Sequence, residues 1–171
     1  MAIFNEATYE NSIIELLGNL GYIHVYGPDV ERDFHDPLMA DELKNSLEMV
    51  NPNLPSAAIN EAIYKLRNYE AGSLVSKNEV FMDYLQNGIQ ARYMENGEQR
   101  STIIYLVDYN KPENNSFIVA NQWTFIENSE KRPDVLIFLN WLPIVLFELK
   151  SPSREETDAS AAYRQIRNYM L

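Results

Sequence analysis

The sequence contains no cysteine and only two histidines, His24 and His35. Without cysteine there can be no disulfide framework and no thiolate metal site, and two histidines are too few for the usual zinc sites. Any metal ion bound by this chain should therefore be held by oxygen ligands, as Mg²⁺ is.

Long hydrophobic runs are also missing. No run exceeds the length of Val135–Leu139, which is far shorter than the roughly 20 apolar residues that span a bilayer. The N-terminus has no basic region followed by an apolar stretch, so no export signal is predicted. With 171 residues, 46% of them hydrophobic, the chain can bury one core. We expect a soluble, cytoplasmic, single compact domain with no membrane partner.

Basic residues are scarce: 14 lysines and arginines face 25 aspartates and glutamates, giving a formal net charge of −11. Affinity for nucleic acid comes largely from cationic side chains that displace counterions. An acidic chain should therefore not grip DNA tightly alone, and we expect it to work as part of a larger protein.

The N-terminal half is mostly helical in pattern. Apolar positions at helical spacing predict a helix over Glu6–Leu20 that Gly21 ends, followed by a short strand over Tyr22–Tyr26. Residues 29–100 are interpreted as a helical insert packed on a sheet, since no flexible linker sets them apart. Its predicted helices are Leu38–Val50, Ser56–Tyr69 and Lys77–Gln86, the last with a capping box of Ser76 and Glu79.

The C-terminal half has the pattern of strands. A meander of about four strands is predicted, followed by a helix over Ala159–Leu171 capped by Thr157 or Asp158. The predicted fold class is therefore α/β. Because the sequence stops inside a predicted helix, we expect it to be part of a longer polypeptide. The predicted strands are Thr102–Tyr109, Phe117–Glu127, Val135–Leu139 and Ile144–Phe147.

Three charged residues border the last two strands. Side chains alternate along a strand, so Glu148 and Lys150 should point the same way. If the strands pair through an Asn140-Trp141 turn, Asp134 lies level with them. Two carboxylates and an ammonium at one place suit a divalent cation and metal-assisted phosphodiester hydrolysis. The alternative is a solvated ion pair of little energetic consequence, but the apolar flanks favour a functional site.

These residues resemble a known signature. Pro133-Asp134 followed by Glu148-Leu149-Lys150 is similar to the motif of PD-(D/E)XK nucleases. More narrowly, residues 132–150 resemble the N-terminal nuclease domain of the restriction (R, HsdR-type) subunit of type I restriction-modification enzymes. Trp141 stands where that family typically has glycine, so the turn is the expected point of departure.

Two flanking motifs extend the resemblance. Asn121-Gln122-Trp123 is similar to the Asn-Gln-aromatic run of the family. Gln165 and Tyr169, which share one helical face, match the Gln-x-x-x-Tyr motif of this branch and of RecB-like nucleases. Alone, these two residues would be interpreted as the polar rim of an amphipathic helix.

The resemblance implies a PD-(D/E)XK core with a mixed sheet of four to five strands flanked by helices. It also implies that Asp134, Glu148 and the Leu149 carbonyl bind Mg²⁺ or Mn²⁺, and that Lys150 orients the attacking water. Gln165 and Tyr169 would position Lys150, a neighbouring carboxylate or the DNA.

The first helix and three arginines complete the candidate site. Family members often bring a first-helix glutamate near the metal, and Glu10 is preferred to Glu6. The alternative for either is an exposed acid favoured by the helix dipole. Candidates for phosphate contacts, each alternatively a solvent-exposed residue, are Arg132, Arg164 and Arg167.

The implied activity is Mg²⁺-dependent endonucleolytic cleavage of double-stranded DNA. The implied partners are the methyltransferase and specificity subunits of a restriction complex. No ATP-binding loop occurs in the sequence, so ATP would act only through a motor domain outside these residues. Two alternatives stay open: a stand-alone RecB-like repair or recombination nuclease, and a non-catalytic module that docks on DNA or a partner.

Overall fold

A computed structural model describes residues 5–68, 72–150 and 159–169. The chain forms two compact units, one comprising the described residues up to Pro37 and from Phe117 onwards, the other Leu38–Ser116. The helices are α1 (Glu6–Asn19), α2 (Ala40–Val50), α3 (Ser56–Arg67), α4 (Leu74–Asn87) and α5 (Ala159–Tyr169). The strands are β1 (Ile23–Tyr26), β2 (Ile89–Glu95), β3 (Glu98–Ile104), β4 (Phe117–Asn121), β5 (Phe125–Ile126), β6 (Glu130–Lys131), β7 (Val135–Leu139) and β8 (Leu142–Phe147).

The first unit contains a four-stranded mixed sheet in the order β1-β4-β7-β8. β1 runs parallel to β4, and the other pairs are antiparallel. The α/β class and the mixed nuclease-type sheet are thus confirmed. The predicted membership was wrong for Thr102–Tyr109, because β3 pairs with β2 in a separate hairpin. A parallel pair needs a long connection between its strands, and residues 27–116 provide it.

The core of this unit lies at the centre of the sheet. β4 and β7 place Val119, Val135 and Phe138 in positions with no exposed surface. Trp123 packs its ring 5.1 Å from that of Phe138, centroid to centroid. The sequences of the central strands are continuous apolar runs because both faces of these strands are covered.

A two-residue turn joins β7 to β8, as predicted. Asn140 and Trp141 both have positive φ, 53° and 64°. Positive φ at both central residues lets a two-residue turn match the twist of the strands it joins. Trp141 thus adopts the backbone conformation that favours glycine. A bulge follows, because Ile137 pairs with Val145 and Phe138 with Pro143.

The second unit contains α2, α3, α4 and the β2–β3 hairpin. Its three helices confirm the predicted ones, but α4 starts earlier than predicted. Ser73 caps it by accepting a hydrogen bond from the Ser76 N–H at 3.2 Å. Ser76 is therefore inside the helix, and the Ser76–Glu79 capping box was wrong. The helical prediction also missed the hairpin that follows α4.

Helices α1 and α5 belong to the first unit. Asn5 caps α1 through a 2.9 Å bond from the Thr8 N–H, and Gly21, with φ of 93°, ends it as predicted. The predicted caps of α5, Thr157 and Asp158, lie outside the described residues. Across the described residues, no helix has both the length and the apolar character needed to span a membrane.

Candidate active site

The site begins where β7 and β8 meet at their far ends. Val135 pairs with Phe147 across the hairpin, which brings the residues just outside the ladder together. The backbone N–H of Leu149 donates a hydrogen bond to Oδ2 of Asp134 at 2.6 Å. The predicted alignment of Asp134 with the Glu148–Lys150 segment is thus present.

Lys150 connects this segment to helix α5. Its Nζ lies 2.6 Å from Oε1 of Glu148 and 2.9 Å from Oε1 of Gln165. The Glu148 side chain is only 1% exposed and that of Lys150 is 20% exposed. This is a largely buried ion pair, so the alternative of a solvated surface pair does not hold.

The surroundings of Asp134 shift the pKa of its carboxyl group. Burial raises its pKa above the ordinary value, and the charges of Glu148 and Glu10 raise it further. The Leu149 N–H and the Lys150 ammonium act in the opposite direction. The carboxylate is therefore held where a positive charge would stabilise its ionised form.

Glu10 of α1 belongs to the same cluster. Asn121 Nδ2 donates to Glu10 Oε1 at 2.6 Å, and Gln122 Nε2 donates to Oε2 at 3.2 Å. His24 Nε2 is 2.9 Å from Asn121 Oδ1. The electrostatic effect of Glu10 on Asp134 agrees with the preference for Glu10 as the helix glutamate near the site.

The backbone between β4 and β5 adopts a tight conformation at Gln122. Its φ is 52°, and its N–H donates to the carbonyl of Asp134 at 3.4 Å. The predicted strand Phe117–Glu127 therefore breaks after Asn121. A Cβ added to Gly27 would lie 2.6 Å from the Gln122 carbonyl oxygen, so only glycine permits this close approach.

Arg32 holds the next residues of the same segment. Its guanidinium lies 4.0 Å from the centroid of the Trp123 ring and donates to the carbonyl of Thr124. Burial lowers the pKa of Arg32, but a guanidinium stays charged at neutral pH. The turn at Gln122 is thus packed against Gly27, and the next residue, Trp123, stacks on the Arg32 guanidinium.

The remaining predicted residues are Tyr169 and three arginines. The side chain of Tyr169 lies outside the described part of the structure. Arg132, Arg164 and Arg167 are exposed. Within the described ranges, no group of three or more histidine, aspartate and glutamate side chains is arranged to hold a metal ion.

Sequence reasoning did not assign a role to three residues of the cluster: His24, Asn121 and Gln122. The sequence singles out Asn121 and Gln122 only through the family resemblance. The available signal was two consecutive amides directly after the apolar strand Phe117–Ala120. Polar residues at the end of a buried strand often mark a site, but their partner on α1 could not be inferred from spacing.

Comparison with known proteins places the chain in a family. A family model described as the N terminus of type I restriction enzyme R proteins matches residues 3–171. The chain is 30% identical over 177 residues to the type I restriction enzyme HindI endonuclease subunit of Haemophilus influenzae, covering 98% of this chain and 17% of that protein. It is 30% identical over 162 residues to a putative type I restriction enzyme MjaIXP endonuclease subunit of Methanocaldococcus jannaschii, covering 89% and 16%.

The chain spans about a sixth of the length of these relatives. The family model nevertheless covers almost all of it. The sequence resemblance found in residues 132–150 is thereby confirmed. The chain belongs to the family of type I restriction enzyme R protein N-terminal regions.

Proposed function

We propose that this chain is the nuclease domain of a type I restriction subunit and cleaves double-stranded DNA endonucleolytically with Mg²⁺. One observation carries the proposal: Asp134, Glu148, Lys150 and Gln165 converge where β7, β8 and α5 meet. Burying charged groups is costly unless they are paired or bind a metal ion, and clusters of this kind are candidates for a functional site. They are suited to polarising water and phosphate.

The donor set fits Mg²⁺. This ion usually takes one or two carboxylates from the protein and completes its shell with water and substrate phosphates, so a cage of three protein carboxylates is not needed. Burial and neighbouring negative charge raise the pKa of Asp134, and a cation would relieve both effects. Asp134, Glu148 and the Leu149 carbonyl would hold the ion, and Mn²⁺ could replace it.

Lys150 would act on the reacting groups directly. An ammonium has three N–H groups, and two of them point to Glu148 and Gln165. The third is available to the scissile phosphate or the attacking water. When bound, Mg²⁺ lowers the pKa of water and draws charge from the phosphate. Lys150 would add a fixed positive charge where negative charge develops.

The surroundings of the site bear on its partners. With a net charge of −11, the chain is suited to cleaving DNA rather than to binding it tightly. The DNA would be held largely by other parts of the protein. Arg132, Arg164 and Arg167 are exposed and could contact phosphates. Methyltransferase and specificity subunits would supply the target sequence, and a motor domain outside this chain would use ATP. Membership of the R protein family favours restriction over a stand-alone repair nuclease.

The test is cleavage of a plasmid by the assembled restriction complex with Asp134→Ala or Lys150→Ala in the full-length subunit. We expect each variant to lose cutting by about 10²-fold or more, as when one group that stabilises the transition state is removed. Lys77→Ala is the matched control, because Lys77 is exposed on α4 and should leave cutting unchanged.

Unchanged cutting by both site variants would refute the nuclease assignment. Calorimetry of the same subunit with Mn²⁺ then distinguishes the docking alternative. A nuclease should show binding heat that is lost with Asp134→Ala, whereas a module that only docks on DNA or a partner subunit should not.

A further inference from the structure

We propose that Asn121 and Gln122 are positioning residues that hold the Glu10 carboxylate beside Asp134, so that Glu10 contributes its negative charge to the cation site. The inference rests on the proposed nuclease function. It assigns a task to two residues of the β4 terminus that do not touch the reacting groups themselves.

Two side-chain amides contact the Glu10 carboxylate. Asn121 and Gln122 each donate to Glu10, at 2.6 Å to Oε1 and 3.2 Å to Oε2, with a longer 3.5 Å contact from Gln122 to Oε1. Both carboxylate oxygens are therefore engaged. A glutamate on a helix surface otherwise samples many rotamers, so two donors from one strand end select one orientation.

Glu10 and Glu148 are bonded by different kinds of donor. Among the described residues, the side chains that bond Glu10 are uncharged amides, whereas Glu148 is bonded by the ammonium of Lys150. An amide orients a carboxylate without neutralising it. The two amides therefore do not form an ion pair with Glu10, and the charge of Glu10 acts on Asp134. A lysine or arginine in place of the amides would have cancelled it.

The orientation of the Asn121 amide is set by its two neighbours. His24 Nε2 lies 2.9 Å from Asn121 Oδ1, so a hydrogen on Nε2 makes histidine the donor and asparagine the acceptor. The NH₂ group is then directed to Glu10. If the amide were reversed, two oxygens would face each other across 2.6 Å, which is repulsive. His24 thus supports the orientation of Asn121.

The backbone at Gln122 has an uncommon conformation. Its φ of 52° is costly for a residue with a side chain, and strain of this kind concentrates at functional sites. The N–H of Gln122 bonds the Asp134 carbonyl at 3.4 Å, which joins the turn to the end of β7. Gly27 allows the close approach that stabilises it. The turn places Gln122 between Glu10 and Asp134.

The test measures Mn²⁺ binding to the full-length protein that contains this chain, without nucleotide, from the electron paramagnetic resonance signal of free Mn²⁺. Asp134→Ala identifies the contribution of this site. We expect Asn121→Ala and Gln122→Met each to raise the Kd about tenfold or more, as for residues that orient metal ligands. The Mg²⁺ concentration for half-maximal cleavage should rise in parallel, and saturating Mg²⁺ should restore the rate.

A double-mutant cycle separates positioning from a merely structural role. If Asn121 acts through Glu10, the Asn121→Ala, Glu10→Gln double variant should bind Mn²⁺ no more weakly than Glu10→Gln alone. Asn87→Ala is the matched control, because Asn87 bonds Asp83 at 2.7 Å on α4 and should leave Mn²⁺ binding unchanged.

Two results would overturn the inference: wild-type Mn²⁺ affinity in both amide variants while Asp134→Ala lowers it, or additive losses in the double variant. Should Asn121→Ala not fold, Gln122→Met alone decides, because it preserves the length of a half-buried side chain. Failure of the proposed function is recognised separately, since Asp134→Ala would then bind Mn²⁺ and cut DNA like the wild type.

Discussion

Gln165 Oε1 accepts a hydrogen bond from Nζ of Lys150 at 2.9 Å, which ties helix α5 to the end of the β7–β8 hairpin. Lys150 also bonds Glu148 at 2.6 Å. The ammonium is thus fixed by one charged and one neutral acceptor on two different elements. The two acceptors give the flexible lysine side chain a defined position. We therefore expect Gln165 to position Lys150.

Replacement of Gln165 by alanine should slow DNA cleavage without abolishing it. The ammonium would keep its bond to Glu148 but lose its second anchor, and we expect a loss of about 10- to 100-fold. Single-turnover cleavage of plasmid by the assembled complex measures the effect. Gln99→Ala on the exposed strand β3 is the control. A Gln165→Ala complex that cuts at the wild-type rate would exclude this positioning role.

Asp134→Asn should raise the thermal stability of the chain at neutral pH in EDTA while removing its cleavage activity. The folded-state pKa of Asp134 is raised by burial and by negative neighbours, so the folded protein binds the Asp134 proton more tightly than the unfolded chain. Stability therefore falls as pH rises from the ordinary carboxyl pKa through the raised value. Asparagine carries no charge whose burial would cost stability, and its side-chain oxygen can still accept the hydrogen bond from the Leu149 N–H.

The pH dependence of this difference is the measurement. Melting temperatures of wild type and Asp134→Asn should converge in acid, where the carboxyl is protonated in both states, and diverge as pH increases. Added Mg²⁺ should stabilise the wild type selectively. A wild type that gains stability over the variant with rising pH in EDTA would contradict the raised pKa.

The hairpin and its charged ends could be predicted because local patterns determine them. Val135–Leu139 and the run ending at Phe147 are apolar strands separated by a two-residue turn, and strand alternation aligns Asp134 with Glu148 and Lys150. These are short-range constraints. The last helix was equally predictable, since the period of its apolar residues is visible in sequence.

The parts that escaped prediction depend on distant partners. β1 joins the sheet by pairing Ile23–Tyr26 with β4, across a separation of about ninety residues that no local pattern encodes. The bend at Gln122 was missed because an apolar strand continuing to Glu127 fits the same composition. Glu10, Asn121 and Gln122 meet only once that bend and α1 are both in place.

Gly27→Ala should destabilise the first unit and weaken the site together. The added methyl would lie 2.6 Å from the Gln122 carbonyl oxygen and 2.9 Å from the Trp123 Cα, and backbone atoms cannot move aside as a flexible side chain can. A cost of about 1–3 kcal/mol is expected from this overpacking. Urea unfolding measures it. Gly18→Ala is the control: its Cβ meets nothing within 4 Å, so helix propensity should make it neutral or stabilising.

Trp141 offers a test of the strain in the hairpin turn. Its φ of 64° carries a cost of about 1 kcal/mol for any residue with a Cβ, and its ring lies 5.9 Å from that of Phe138, which repays part of that cost. Trp141→Ala removes the ring and keeps the strain, whereas Trp141→Gly removes both. We expect the glycine variant to be more stable than the alanine variant by about 1 kcal/mol in urea unfolding. Equal stabilities would mean that the turn relaxes to negative φ when the ring is absent, and a glycine variant less stable than alanine would contradict the strained turn.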